Sequence, residues 1–225
     1  MTSVLFLPLF GIIITIACYS IGLFAKKLIP SLSIPPIVSN TLLILFIVFT
    51  PVTLEQYMVG GRIITMFMGP VTVILAMRIY NQREQLKANI IPVLGGCIAG
   101  SSASLLCVWF VARLFDLDSV ITMSVLPKSV TSPIAMELAA RSGGIEGLAL
   151  AMVQFTGLVG AAFSPFFIKI FKLKDPIATG IAIGSSGHAI ATAAAIKIGE
   201  TEAAMSGLAI PLMGIITSII WIIVF

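Results

Sequence analysis

The sequence predicts an all-α polytopic membrane protein, with about six full spans and two broken or re-entrant helical segments in an inverted repeat. Three observations lead to this fold class. Of the 225 residues, 59% are hydrophobic and 10% are charged, whereas soluble domains carry about 25% charged residues. Apolar runs recur at a length that crosses a bilayer, and two other apolar segments are interrupted near their middle.

The composition also excludes two broad classes of protein. A soluble chain of this size cannot bury so much apolar surface, so a soluble enzyme or a nucleic-acid-binding domain is excluded. The net charge of +4 comes from small basic groups between apolar runs, which is typical of membrane helices. The three cysteines lie in apolar runs and His188 is the only histidine, so no metal site and no cofactor are expected.

Six apolar runs of spanning length account for the predicted spans. They cover residues 4–25, 37–54, 62–80, 90–113, 145–171 and 203–225. The first run has no charge before Lys26 and Lys27, so it is predicted to be a retained helix with a cytoplasmic C-terminal end, and not a cleaved signal. In 62–80, Gly69 and Pro70 fall at mid-depth and predict a further structural break.

Two remaining segments, 118–142 and 175–199, each begin at an aspartate, run apolar for about eight residues and then break. The predicted break in the first segment is 127–133, with Pro127 and Pro133 at its ends, and in the second it is 184–188, which contains Gly184 and Gly187. Laid over each other, the segments match at Asp118/Asp175, Thr122/Thr179 and Ser129/Ser186. Each is followed by one long span, which indicates an internal repeat.

Charge counting favours re-entry of 118–142 over a full crossing. Re-entry places nine basic residues inside and three outside, whereas a crossing gives seven and five. The tips of the two broken segments would then approach the midplane from opposite faces.

Lys128 is the most informative candidate site residue, because it lies ten residues inside a segment of membrane character. A lysine at bilayer depth costs about 2.5–3.5 kcal/mol, so it must face water, an anion or a partner. Snorkelling, or pairing with Glu137, is the alternative to an anion-binding role. Ser129, Thr131 and Ser132 add hydroxyl donors, and Pro133 suits the first turn of a half-helix aimed at this loop.

The second break offers a similar set of polar residues. Ser185, Ser186 and His188 precede a small-residue helix, and Thr192 lies on the face of His188. A cation, hydroxyls and half-helix N-termini together suit a carboxylate. His188 is either a proton relay or a hydrogen-bonded packing residue. Glu137 is either a coupling site or the i,i+4 partner of Arg141.

Small residues recur along two of the predicted spans. Gly96, Gly100 and Ser104 in one span, and Gly157, Gly160 and Ser164 in another, are interpreted as surfaces for close helix packing.

The blocks LPKSVTSPIAMELAARSGG at 126–144 and GSSGHAIATAAAIKIGE at 184–200 resemble the LrgB/CidB family of bacterial membrane proteins. The block MGPVTVILAMRIY at 68–80 resembles a third motif of that family. Ala191 departs from the pattern, since the family often has glycine there. The resemblance covers nearly the whole chain.

The resemblance implies a multi-pass protein of the bacterial cytoplasmic membrane. It implies either an antiholin-like role in murein hydrolase export and lysis, beside a small LrgA/CidA-like membrane protein, or transport of small carboxylates such as pyruvate or glycolate. The anion site predicted from the residues agrees with the second role.

We therefore expect a non-enzymatic transporter of small monocarboxylates, with the antiholin-like regulator as the alternative. An intramembrane hydrolase is disfavoured, because Ser186 and His188, or Ser129 and Lys128, are too close in one loop for catalytic geometry. The expected partners are a carboxylate anion, the lipid bilayer, the small membrane protein and other copies of this chain, without nucleic acid. The expected organisation is one membrane domain over 1–225, with scaffold helices in 1–61 and a transport-like core in 62–225.

Overall fold

The computed structural model describes residues 8–28 and 35–225, and regular structure within these ranges is helical. Residues 4–7 of the first predicted run, and residues 29–34 between the first and second predicted runs, lie outside the described residues. The helices are α1 (Pro8–Leu28), α2 (Pro35–Phe49), α3 (Leu54–Met66), α4 (Met68–Asn81), α5 (Arg83–Ala88), α6 (Ile90–Leu114), α7 (Ser119–Val125), a 3₁₀ turn (Leu126–Ser129), α8 (Ser132–Arg141), α9 (Glu146–Ile170), α10 (Pro176–Ala195) and α11 (Glu200–Val224).

Four of the described helices, α1, α6, α9 and α11, are long and apolar enough to cross a membrane. The sequence predicted about six spans, and the difference lies in two runs. The run 37–54 forms α2, which has only 15 residues. The run 62–80 is divided at Phe67 between α3 and α4, and Pro70 lies in the first turn of α4, where its missing N–H breaks no helical hydrogen bond.

The chain divides into two compact units, the first ending at Val71 and the second beginning at Thr72. In the first unit, α1 and α3 cross at two glycines. A Cβ added to Gly11 would lie 2.4 Å from the carbonyl oxygen of Tyr57, and one added to Gly60 would lie 2.2 Å from that of Pro8. The hydroxyls of Thr15 and Tyr57 also hydrogen-bond at 3.0 Å. The absence of side chains at these glycines therefore sets the helix separation.

We expect Gly60→Ala to destabilise the first unit by about 1–3 kcal/mol, because the added methyl meets backbone atoms that cannot move aside. Gly69→Ala is the matched control, since a Cβ at Gly69 has no heavy atom within 4 Å. The measurement is the apparent melting temperature of the purified protein in detergent. Equal melting temperatures for the two variants would contradict the described crossing.

In the second unit, α6 and α11 run in the same direction. Ser101 of α6 donates its hydroxyl to the Met213 sulfur at 3.2 Å and accepts from the Thr217 hydroxyl at 3.1 Å. Farther along both helices, Val108 and Trp221 share one apolar cluster. The N-terminal halves share another, formed by Val93, Cys97, Met205, Leu208, Ala209, Leu212 and Met213 with Ile181 of α10. These two clusters form much of the core on which the broken segments pack.

The segment 118–142 folds back on itself between the C-terminal ends of α6 and α11. It starts just after α6, and its end is held there because the Trp221 indole N–H donates to the Ser142 hydroxyl at 3.0 Å. The Ile145 N–H donates to the Ser124 hydroxyl at 2.7 Å, which joins the start of α9 to α7. Pro127 lies in the intervening 3₁₀ turn and Pro133 in the first turn of α8. The tip of this first hairpin is therefore the turn that contains Lys128.

The segment 175–199 folds back in the same manner beside the N-terminal half of α11. Gly184, before the bend, approaches the Ser206 backbone, and the Thr192 hydroxyl, after it, hydrogen-bonds that of Ser206 at 2.7 Å. The bend is at His188, whose φ is 49°. His188 is the last residue of the predicted break, 184–188. The two glycines in that stretch keep helical geometry and serve close packing instead.

The two hairpins begin with the same local structure. Asp118 accepts the Val120 N–H at 3.0 Å, and Asp175 accepts the Ala178 N–H at 2.7 Å. The hydroxyls of Thr122 and Thr179 each donate to the carbonyl oxygen of the aspartate four residues before, at 2.9 and 2.8 Å. These aspartates and threonines are two of the three identities found in the sequence, so those matches correspond to a shared helix start.

Candidate functional site

Lys128 lies at the tip of the first hairpin, within a small group of hydroxyls. Its ammonium donates to the hydroxyls of Ser104 and Ser129, both at 3.4 Å, and those two hydroxyls also hydrogen-bond each other. No carboxylate lies within ion-pair distance of Lys128 among the residues that the structure describes. An ammonium group has three N–H donors, so Lys128 retains one that can bind an anion.

The tip of the second hairpin brings His188 close to this lysine. His188 is 4% exposed, and neither ring nitrogen has a hydrogen-bond partner within the described part of the chain, although the Lys128 backbone is near the ring. The Thr131 hydroxyl is likewise buried without a described partner. Buried polar groups are normally paired, so three such atoms at the meeting of two tips indicate a place for a water, an ion or a polar ligand.

Glycines allow the second tip to approach α9. A Cβ on Gly160 would lie 2.8 Å from the Cα of Gly187, and one on Gly157 would lie 2.8 Å from the Ile190 side chain. The packing surface predicted for this helix is thus used against α10 at Gly157 and Gly160, whereas the Ser164 hydroxyl donates to the Ala161 carbonyl oxygen within α9 at 3.5 Å.

A cavity of about 510 Å³ adjoins the two tips, and Lys128 and Ser186 both line it. The rest of its wall comes from α9 and the residues after it, together with Ala182 and Ile183 of α10. Thr156 and Ser164 supply the other hydroxyls, and the remaining lining is largely apolar. Lys128 is the one charged residue among the described residues that line this cavity.

The structure places the predicted site residues in different surroundings. Lys128, Ser129, Thr131, Ser186 and His188 lie at or beside the two tips. Ser132 is the first residue of α8. Thr131 precedes it as the N-cap residue, and the Thr131 side chain makes no capping hydrogen bond.

Three other predicted residues have contacts elsewhere. Ser185 lines a separate cavity with Asn89 and Asp175. The Thr192 hydroxyl donates to the His188 carbonyl oxygen at 2.8 Å and contacts Ser206. Glu137 forms an exposed ion pair with Arg141 at 2.6 Å. This is the i,i+4 pairing that the sequence suggested as the alternative to a coupling site, and a coupling role for Glu137 stays a prediction.

Ser104 is a site residue that the sequence analysis assigned only to helix packing. The signal was available in Gly100-Ser101-Ser102-Ala103-Ser104, where three serines lie inside one apolar span. The spacing of small residues could not distinguish a packing serine from one that contacts Lys128, because that depends on which helix faces the hairpin tip.

These features define a multi-pass helical membrane protein in which two folded-back segments meet at a lysine and a histidine. Comparison with known proteins identifies it further. The chain belongs to the LrgB-like family, whose model matches residues 15–225. The family resemblance found in the sequence is thereby confirmed.

The curated relatives are similar to this chain over nearly their full length. The Antiholin-like protein LrgB of Bacillus subtilis (strain 168) is 36% identical over 215 residues, which is 95% of this chain and 93% of the relative. Proteins of the same name from Bacillus mycoides (strain KBAB4) and Bacillus cereus (strain B4264) are each 34% identical, over 95% of this chain and 94% of the relative. No solved structure matches the chain.

Proposed function

We propose that the chain is an antiholin-like protein of the bacterial cytoplasmic membrane, which restrains murein hydrolase export and lysis together with a small LrgA/CidA-like membrane protein. The observation that carries this proposal is the name shared by relatives at 34–36% identity over 95% of the chain. The proposed role requires no catalysis, cofactor or metal. Homo-oligomers are part of the same proposal.

The test is a lysis assay in a bacterium that lacks its own LrgB-like protein. Expression of this chain with the small partner should lower extracellular murein hydrolase activity in zymograms and delay lysis. The two tagged proteins should also co-purify from detergent. Unchanged zymograms and lysis would contradict the antiholin-like role.

A second candidate function, transport of small monocarboxylates, is favoured by the arrangement at the hairpin tips. Lys128 and its hydroxyl partners offer a cation and donors for a carboxylate, and the orphaned His188 and Thr131 atoms lie beside them. Half-helix ends near the midplane are the usual site of anion binding in transporters built from inverted repeats. In this proposal, His188 or Glu137 carries the coupled proton.

We also propose that both hairpins re-enter the membrane, and that the first hairpin with α9 and the second hairpin with α11 form an inverted repeat. The support is that the end of the first hairpin is hydrogen-bonded to Trp221 of α11, that both arms of the second hairpin contact Ser206 of α11, and that both hairpins begin with the same aspartate cap. A single membrane domain, with scaffold helices in 1–61 and a transport-like core in 62–225, is part of the proposal.

Cysteine labelling in intact cells tests this topology. In a background with the three native cysteines replaced, Phe115→Cys and Glu146→Cys should react with a membrane-impermeant maleimide from the same side. Lys174→Cys and Lys197→Cys should react only after permeabilisation, because the positive-inside rule places them in the cytoplasm. Labelling of residues 115 and 146 from opposite sides would show that 118–142 crosses the membrane.

A further inference from the structure

The cavity that contains Lys128 is larger than a small carboxylate needs. Its volume of about 510 Å³ falls in the range of roughly 300–1,000 Å³ that is typical of pockets for drug-sized ligands. A carboxylate as small as glycolate would contact Lys128 and leave most of this space to other atoms. The shape and lining of the rest of the cavity therefore help to determine which carboxylates the site binds.

The cavity extends along α9 from Met152 to the C-terminal end of the helix. Its lining includes Thr156, near the middle of α9, and Ile168 and Phe171 at its end. Thr156 and Ile168 are separated by about 18 Å at the helical rise of about 1.5 Å per residue. The cavity is thus an elongated groove, and Lys128 lies nearer its N-terminal end along α9, because Val130 packs against Ala149 and Val153.

The walls of the groove beyond Lys128 suit a hydrocarbon chain. Phe167 and Phe171 line it and are each about half exposed or more, and their rings stack at 6.2 Å. A cation and hydroxyls at one end, with walls that are apolar along the rest except at Ser164, are complementary to an anion that carries an apolar tail.

We propose that this groove binds monocarboxylates with an unbranched alkyl chain, with the carboxylate at Lys128 and the chain along α9. This inference rests on the carboxylate-binding function proposed above and extends its substrate class. Each additional buried methylene should tighten binding roughly threefold to fourfold until the chain fills the groove. Chain length, and not only charge, then determines affinity.

The experiment compares butyrate with octanoate on the whole protein in lipid nanodiscs. Binding of each radiolabelled acid is measured by equilibrium dialysis, with protein-free nanodiscs as the blank for partition into lipid. We expect octanoate to bind at least tenfold more tightly than butyrate. Lys128→Met, which keeps the aliphatic stem, should weaken both acids, and radiolabelled octanol should show no binding above the blank.

Val159→Trp provides a second arm, because Val159 lines the groove and its side chain is 38% exposed, so a larger ring enters free space. This variant should weaken octanoate at least tenfold and leave butyrate within about twofold. Ile219→Trp is the matched control, since Ile219 is 52% exposed on α11 and lies outside the groove lining. It should change neither affinity.

The outcomes separate this inference from the function on which it rests. Equal affinities for butyrate and octanoate would overturn the alkyl-chain inference and leave carboxylate binding intact. Absence of binding for both acids would overturn the alkyl-chain inference and also the proposed carboxylate binding on which it rests. Octanol binding as tight as that of octanoate would assign the groove to bilayer lipid chains alone.

Discussion

Replacement of Lys128 by alanine should weaken carboxylate binding by about 10- to 100-fold, since a hydrogen bond to a charged group contributes about 1.5–3 kcal/mol. In liposomes that contain the purified protein, uptake of radiolabelled pyruvate or glycolate should be saturable, and Lys128→Ala should reduce it accordingly. The physical reason is that Lys128 provides the cation at the hairpin tips, with only the hydroxyls of Ser104 and Ser129 as described side-chain partners.

Two further variants make this result interpretable. Lys128→Met retains the packing of the aliphatic stem and should lose uptake to the same extent, which separates the lost charge from a cavity. Lys174→Met removes an exposed lysine from the loop after α9 and should leave uptake unchanged. Full transport by Lys128→Ala, in protein that elutes normally from size exclusion, would refute the site assignment.

The second large effect is expected at Gly184, where α10 meets α11. A Cβ at this position would lie 2.4 Å from the carbonyl oxygen and 2.8 Å from the Cα of Ser206. Because both atoms belong to the backbone of a buried helix, Gly184→Ala must push the hairpin away from α11. We expect a loss of about 1–3 kcal/mol and a lower melting temperature in detergent.

Gly95→Ala is the matched control for this effect. Gly95 lies in α6, and a Cβ there has no heavy atom within 4 Å. The change from glycine to alanine should be neutral or stabilise the helix by up to about 1 kcal/mol. A Gly184→Ala protein as stable as the Gly95→Ala protein would show that α10 and α11 are farther apart than described.

Several features of the fold were predictable because they depend on composition or on residues close in sequence. Apolar content identifies a membrane protein, and the blocks around Lys128 and His188 identify the family. Pro127 and Pro133 mark the interruption of the first segment, since proline cannot continue a helical hydrogen-bond ladder. Asp118 and Asp175 begin the two hairpins, since an aspartate side chain can accept the first free N–H groups of a helix.

Other features depended on packing and could not be predicted in this way. The predicted break of the second segment covered 184–188, but its sequence did not show that the bend is at His188 while Gly184 and Gly187 stay helical and contact Ser206 and Gly160. Ser185 and Ser186 are neighbours in sequence but line different cavities, because successive helical residues face about 100° apart. The roles of the predicted site residues stay predictions until transport or lysis is measured.

Composition and local motifs were enough to identify an all-helical membrane protein of the LrgB-like family and to predict that Lys128 lies away from the membrane edges. These properties follow from hydrophobicity, helix-breaking residues and local motifs, which act over a few residues. The groups that surround Lys128 are evident only in the folded chain: Ser104 from α6, the buried His188 from the second hairpin, and a largely apolar groove along α9. Those neighbours are distant in sequence and are brought together by close packing at glycines, which depends on the whole bundle.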